Sequence, residues 1–130
     1  MIDLKPLLFN DADMAERLAA CSVEALNALD FGVIGFDAAT LITQYNTFES
    51  KAAALAPERV LGHPLFTVVA PCMNNFMVAQ RFEDAALNGE PLDTTIDYVL
   101  TLRMRPVKVA LRLLSEPGLD VRYVLVNRRA

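Results

Sequence analysis

At 130 residues, 54% of them apolar and 22% charged, the chain has the size and make-up of one compact domain with a core of its own, which excludes a disordered segment. Its formal net charge of −4 argues against a nucleic-acid partner, because binding a phosphate backbone needs a clustered positive field. No apolar run is long enough to cross a bilayer, and Met1-Ile2-Asp3-Leu4-Lys5-Pro6 has no basic segment ahead of a hydrophobic stretch, so a cytoplasmic protein with no membrane partner is expected.

Residues 1–27 read as an N-terminal helical cap on a main unit of residues 28–130. Asp13 with Glu16 three positions on has the form of a capping box, and Leu18, Cys21, Ser22 and Ala25 follow at the spacing of an amphipathic helix. Phe31 to Phe36 and Leu41 to Tyr45 are β-type runs, and Asp37-Ala38-Ala39-Thr40 between them reads as a hairpin turn. The chain then turns helical from Phe48 to Leu55. Pro57 and Gly62 interrupt the next section, so Glu58 to Pro71 is expected to form short helical turns and loop. Asn75 opens a helix with Val78, Phe82, Ala85 and Ala86 on one face and Gly89 at its end.

Three strands finish the chain. Ile96, Tyr98, Leu100, Leu102 and Met104 share one face of the first; Val107, Val109, Leu111 and Leu113 share one face of the second; Tyr123 and Leu125 alternate with Arg122 and Val124 in the last. Arg103, Arg105, Lys108 and Arg112, and again Arg128 and Arg129, read as solvated outward rows. Two strands, short helices, one longer helix and three strands predict an α+β fold: a five-stranded antiparallel sheet with helices on one face.

Cys21 and Cys72 lie far apart with no Cys-x-x-Cys spacing, and His63 is the one histidine, so neither a disulfide nor a metal site is expected. The chemistry gathers elsewhere. Cys72 ends Val68-Val69-Ala70-Pro71-Cys72, and Tyr45 and Glu49 are paired in Gln44-Tyr45-Asn46-Thr47-Phe48-Glu49. Taken singly, Cys72 reads as a small buried hydrophobe, Tyr45 as an interface tyrosine with a satisfied hydroxyl, and Glu49 as a carboxylate favoured near a helix start. Tyr45 ends a strand and Glu49 falls in the next helix's first turn, so both side chains can point into the space between sheet and helix.

Together these residues resemble the photoactive yellow protein family, small light-sensing PAS domains. The likeness runs from Phe31 to Arg129. It is carried by Val69-Ala70-Pro71-Cys72 with Val60-Leu61-Gly62 and Phe66 before it, by Gln44-Tyr45-Asn46-x-x-Glu49, and more softly by Phe31-Gly32-x-Ile34, Asp37, Met104 with Pro106, and Tyr123-Val124-x-Val126. The resemblance implies a PAS fold and a p-coumaric acid chromophore joined to Cys72 through a thioester. It also implies that Tyr45 and a protonated Glu49 hold the phenolic oxygen. Ile34, Ala53, Leu55, Phe66, Val69, Ala70, Pro71, Leu100 and Met104 would line the pocket. A buried phenolate needs such donors, since burial alone disfavours its charged form, and Glu49 would carry a raised pKa.

Two positions depart from the family. Where well-known members carry a threonine that hydrogen-bonds the tyrosine and an arginine that shields the chromophore, this chain has Ala53 and Leu55, so a shifted absorption band or an altered photocycle is expected. The resemblance further implies a blue-light photoreceptor and not an enzyme: isomerisation, proton transfer from Glu49, release of the N-terminal cap, and signalling to a separate downstream protein by a monomer or weak homodimer. The alternative is a PAS domain that binds another small ligand or a protein partner. A cysteine enzyme with His63 as base lacks a third residue to orient that base.

Overall fold

The computed structural model describes residues 7–101 and 106–128. The chain opens with two short helices, α1 (Met14–Ala19) and α2 (Val23–Asn27), followed by strands β1 (Gly32–Phe36) and β2 (Ile42–Tyr45). Helices α3 (Thr47–Ala53) and α4 (Pro57–Val60) come next, then a π-helical turn Leu65–Val69, a 3₁₀ turn Pro71–Met73 and helix α5 (Ala79–Asn88). Strands β3 (Leu92–Leu100), β4 (Val107–Ser115) and β5 (Arg122–Asn127) complete one sheet in the order β2-β1-β5-β4-β3, with every neighbouring pair antiparallel. The predicted Asp37–Thr40 turn joins β1 to β2. Asp37 Oδ1 accepts from the amides of Ala39 and Leu41 at 2.9 and 3.0 Å, which fixes the reversal.

The sheet is covered on both faces, so β1 is buried along its whole length. On one face α3, the π turn and α5 enclose a core built on Ile34, Phe36, Leu65, Phe82, Leu111, Leu113, Val124 and Val126. On the other, Leu7, Phe9, Met14, Leu18, Leu26 and Leu29 of the N-terminal segment pack on Val33, Leu114, Tyr123 and Leu125. Strand period two divides β5 between them, with Val124 and Val126 under the helices and Tyr123 and Leu125 under the cap. No helix of the described residues is long and apolar enough to cross a membrane.

Several local expectations are corrected. The cap is two helices, not one. Asp13 sits in left-handed backbone (φ 52°) with no side-chain capping bond, whereas an N-cap needs extended backbone to reach forward, so the Asp13–Glu16 box does not form. Ser22 takes the role for α2, its Oγ accepting from Ala25 N at 3.1 Å. Helix α5 starts at Ala79, because Asn75 Oδ1 instead holds a turn through the amides of Met77 and Val78 at 3.0 and 3.2 Å. Ala86 faces solvent, and Val107 at the strand end is exposed.

Arg112 is the largest correction. It is buried and does not belong to a solvated row. Its Nε and Nη2 donate to the Asp93 carboxylate at 2.8 Å each, and Nη1 donates to the carbonyls of Phe9 and Asp11 at 2.9 and 2.8 Å. The face it occupies is the one the cap covers. Lys108 is exposed as expected, and Arg103, Arg105 and Arg129 lie outside the described residues.

Candidate functional site

Tyr45 closes β2, opposite Ile34 of β1, and is buried in the helix-side core. The next residue turns the corner. Asn46 is buried, and its Oδ1 accepts from Val33 N at 2.9 Å and Glu49 N at 3.1 Å. Its Nδ2 donates to the carbonyls of Leu26 and Phe31 at 2.9 and 3.0 Å. One amide side chain thereby caps α3, pins β1 and holds α2 of the cap.

That cap places Glu49 one turn into α3, over the start of β1. The residue is 1% exposed and its side chain lies against Gly32, where an added Cβ would come within 2.1 Å of its Oε1. Glycine is required there by close approach, not by backbone angle. The carboxylate faces Arg128, a residue whose charge and place at a strand end assign it to solvent. Arg128 Nη1 donates to Oε1 at 2.6 Å and Nη2 to Oε2 at 3.0 Å, a bidentate pair in which the Arg128 side chain is 18% exposed. The sequence holds a signal for this position: Arg128 follows Val124 and Val126 in period two, hence on the pocket side of β5.

Burial pushes the Glu49 carboxyl up, while the hydrogen bonds and charge of Arg128 oppose it. Burial would lower Arg128, but the hydrogen bonds and charge of Glu49, with Tyr45 beyond, outweigh it and raise the guanidinium's pKa. The Tyr45 phenol is pushed well above its ordinary value, first by burial and then by the Glu49 charge, with Arg128 working the other way. Tyr45, Glu49 and Arg128 thus form one electrostatic unit. Among the described residues, hydrogen bonds within it join Glu49 to Arg128 and leave the Tyr45 hydroxyl free to donate.

Cys72 packs against the same core. It lies in the 3₁₀ turn, half-buried and free, packed against the cluster that contains Tyr45. Its carbonyl accepts from the Tyr98 hydroxyl and from Asn75 Nδ2 at 3.2 Å, and Asn75 Nδ2 also donates to the Tyr98 oxygen at 2.6 Å. Sequence pattern alone marks Tyr98 as a strand-face residue and Asn75 as a helix cap; in the fold both fix the backbone that carries the thiol.

Of the expected lining residues, Ile34, Phe66, Ala70 and Leu100 are buried in this core, and Leu55 and Val69 pack against it. Ala53 is buried on α3. Pro71 is exposed, a correction to its place in the lining: as the first residue of the 3₁₀ turn, its fixed φ shapes the backbone into Cys72. Met104 lies outside the described residues. A cavity of about 760 Å³ opens beside this turn, lined by Asn75, Met77, Asp97, Tyr98, Val99, Lys108, Val109 and Ala110, and none of Tyr45, Glu49 and Cys72 borders it.

The free thiol can carry an acyl group, the Tyr45 hydroxyl has a proton to give, and the Arg128 cation offsets the buried Glu49 carboxylate. No group of three or more metal-binding side chains occurs among the described residues.

No family model matches the chain. Among curated proteins, a photoactive yellow protein of Halochromatium salexigens is 33% identical over 120 residues, covering 92% of this chain and 95% of that protein. One of Rhodothalassium salexigens is 26% identical over 125 residues, covering 96% and 99%. Among solved structures, the photoactive yellow protein domain of the sensor histidine kinase Ppr from Rhodospirillum centenum superposes with a TM-score of 0.78 at 33% identity, over 86% of this chain and 97% of that one. The PAS domain of the quorum-sensing receptor RpfR from Cronobacter turicensis, in complex with BDSF, reaches 0.60 at 13% identity over 78% and 96%, a likeness of fold alone.

Proposed function

The chain belongs to the photoactive yellow protein family and has the PAS fold, and from that premise we propose that it is a blue-light photoreceptor whose chromophore is p-coumaric acid held as a thioester on Cys72. What supports the reading is the buried Glu49 carboxyl, whose charge acts on the Tyr45 phenol, with Tyr45 in the apolar core against which Cys72 packs. When bound, the coumaroyl group supplies a phenolic oxygen and a double bond that light isomerises.

The chain's own residues do the rest. The Cys72 thiolate would attack an activated acyl donor, forming the S–acyl bond as the donor's leaving group departs, and Tyr98 and Asn75 hold the Cys72 carbonyl so that the tether has a fixed origin. Tyr45 donates its hydroxyl proton in a hydrogen bond to the phenolic oxygen. Glu49, when protonated, is the second donor, and burial favours that neutral state. Ile34, Phe66 and Leu100 exclude water, which strengthens both bonds.

On illumination the protonated Glu49 would give its proton to the phenolate and be left a carboxylate in an apolar site, at a cost of several kcal/mol unless it finds a partner. Asn46 links Glu49 N to Leu26 O, so movement of the start of α3 bears directly on the cap. Release of that cap exposes apolar surface for a downstream signalling protein, in a cytoplasmic sensor that is not an enzyme. A second reading, a PAS domain for another small ligand, is favoured by the cavity of about 760 Å³ that the three site residues do not border.

The test is reconstitution. Purified protein and Cys72→Ala are incubated with activated p-coumaric acid and their visible spectra recorded before and after blue illumination. A Cys72-dependent blue band that bleaches and recovers is expected, and Glu49→Gln should shift that band to the red. Thioester confirmed by mass without any such band overturns the photoreceptor reading in favour of the second; an unchanged spectrum in Glu49→Gln removes Glu49 from the site.

A further inference from the structure

A carboxyl group that donates its proton to a phenolic oxygen keeps one oxygen for that bond. In this structure both Glu49 oxygens accept from Arg128, Nη1 and Nη2 holding one each at 2.6 and 3.0 Å. The geometry is that of a carboxylate with a dedicated cation. Gly32 gives the pair its room, since a Cβ there would collide with Glu49 Oε1. Arg128 stands one residue beyond the end of β5, on backbone outside the sheet ladder, so its side chain can leave and return without breaking strand pairing. Tyr45 is the other titratable group that bears on Glu49, and it stays neutral.

We infer that Arg128 is a positioning residue that captures the Glu49 carboxylate once the proton has left, so that Glu49 alternates between the phenolic oxygen in the dark and the Arg128 guanidinium after light. The inference rests on the photoreceptor reading. The Glu49 O–H bond breaks and a phenolic O–H bond forms, while the guanidinium stays protonated throughout. One negative and one positive charge are present before and after, and only the position of the negative charge changes. Arg128 touches the carboxylate directly, so it stabilises the illuminated state more than the dark one.

Two measurements test this. Infrared spectra of the chromophore-free protein should contain no protonated-carboxyl band that Glu49→Gln removes. Arg128→Gln should create that band, because burial then prevails, and Arg128→Lys should suppress it again in part. A Glu49 carboxyl band already present with Arg128 intact, or no band in Arg128→Gln, overturns the inference. In protein loaded with p-coumaroyl thioester, Arg128→Gln should return to the dark state faster, on the order of tenfold or more, with little change in the dark band. Unchanged recovery in a coloured, correctly folded Arg128→Gln overturns this inference alone. Failure to form any coloured adduct overturns the photoreceptor reading, and this inference with it, while the infrared result still reports whether the ion pair exists.

Discussion

Gly32 shows how one missing methyl group can decide a site. The Glu49 carboxylate occupies the space where a Cβ would stand, 2.1 Å from Oε1, so Gly32→Ala must displace a buried charged group or the strand beneath it. A stability loss of about 1–3 kcal/mol is expected, together with loss of the Glu49–Arg128 pair, measurable by denaturant unfolding and by appearance of a Glu49 carboxyl band in the infrared. Tyr123 is the opposite case. Its hydroxyl is buried in the cap-side core with no hydrogen-bond partner among the described residues. Burial raises its phenol from 10.0 to about 12, with the neighbouring Cys21 adding to the rise. A folded value above the unfolded one gives stability that is complete below the unfolded value and is lost as pH rises through the folded one. The stability of the protein should therefore decline between pH 10 and about 12, and Tyr123→Phe should flatten that decline without weakening the fold at neutral pH. A steep decline that persists in Tyr123→Phe would assign it to Tyr45.

At the level of elements, the N-terminal cap is attached by apolar packing, by Asn27 Oδ1, which accepts from Thr47 N at 2.9 Å, and by two side chains from the body of the fold. Asn46 holds Leu26 O, and Arg112 holds the carbonyls of Phe9 and Asp11 while Asp93 steadies its fork. Arg112→Gln should cost about 2 kcal/mol. Its specific signature is faster amide exchange in residues 7–29 with exchange in β1 and β5 unchanged; equal acceleration throughout would mean general destabilisation and no latch. Arg112→Lys should not restore protection, because one ammonium cannot reproduce a planar fork that serves a carboxylate and two carbonyls. Much at this scale is legible in the sequence. The Asp37–Thr40 turn, the short turns between Glu58 and Pro71, the Gly89 helix end and the alternation along β5 are local signals, and they hold, while on β4 Val109, Leu111 and Leu113 keep the expected face and Val107 does not. The burial of Arg112 is not, because alternation along β4 separates two faces without saying that the cap covers the second one. Nor is the break in the cap, where Ser22 leaves helical backbone (φ −72°, ψ 168°) to cap α2. Arg128 stands between these cases: its phase with Val124 and Val126 is in the sequence, but a charged residue at a strand end reads as solvated until the buried carboxylate opposite is known.

For the whole molecule, the sheet separates two cores with different tasks. The helix-side core contains Tyr45, receives Cys72 and adjoins the Glu49–Arg128 pair; the cap-side core holds the two short helices that the proposed signal would release. Asn46 is a bonded route between them, from the amide at Glu49 to the carbonyl at Leu26. A route of this kind has physical content only if both ends move together. The measurement that tests this most directly is hydrogen exchange on protein carrying the p-coumaroyl thioester on Cys72, compared in darkness and under continuous blue light. The account predicts that light accelerates exchange in residues 7–29 well beyond any change in β3 and β4, that protection returns in the dark, and that Cys72→Ala shows no response. Illumination that bleaches the band while exchange in residues 7–29 stays at its dark value would contradict it.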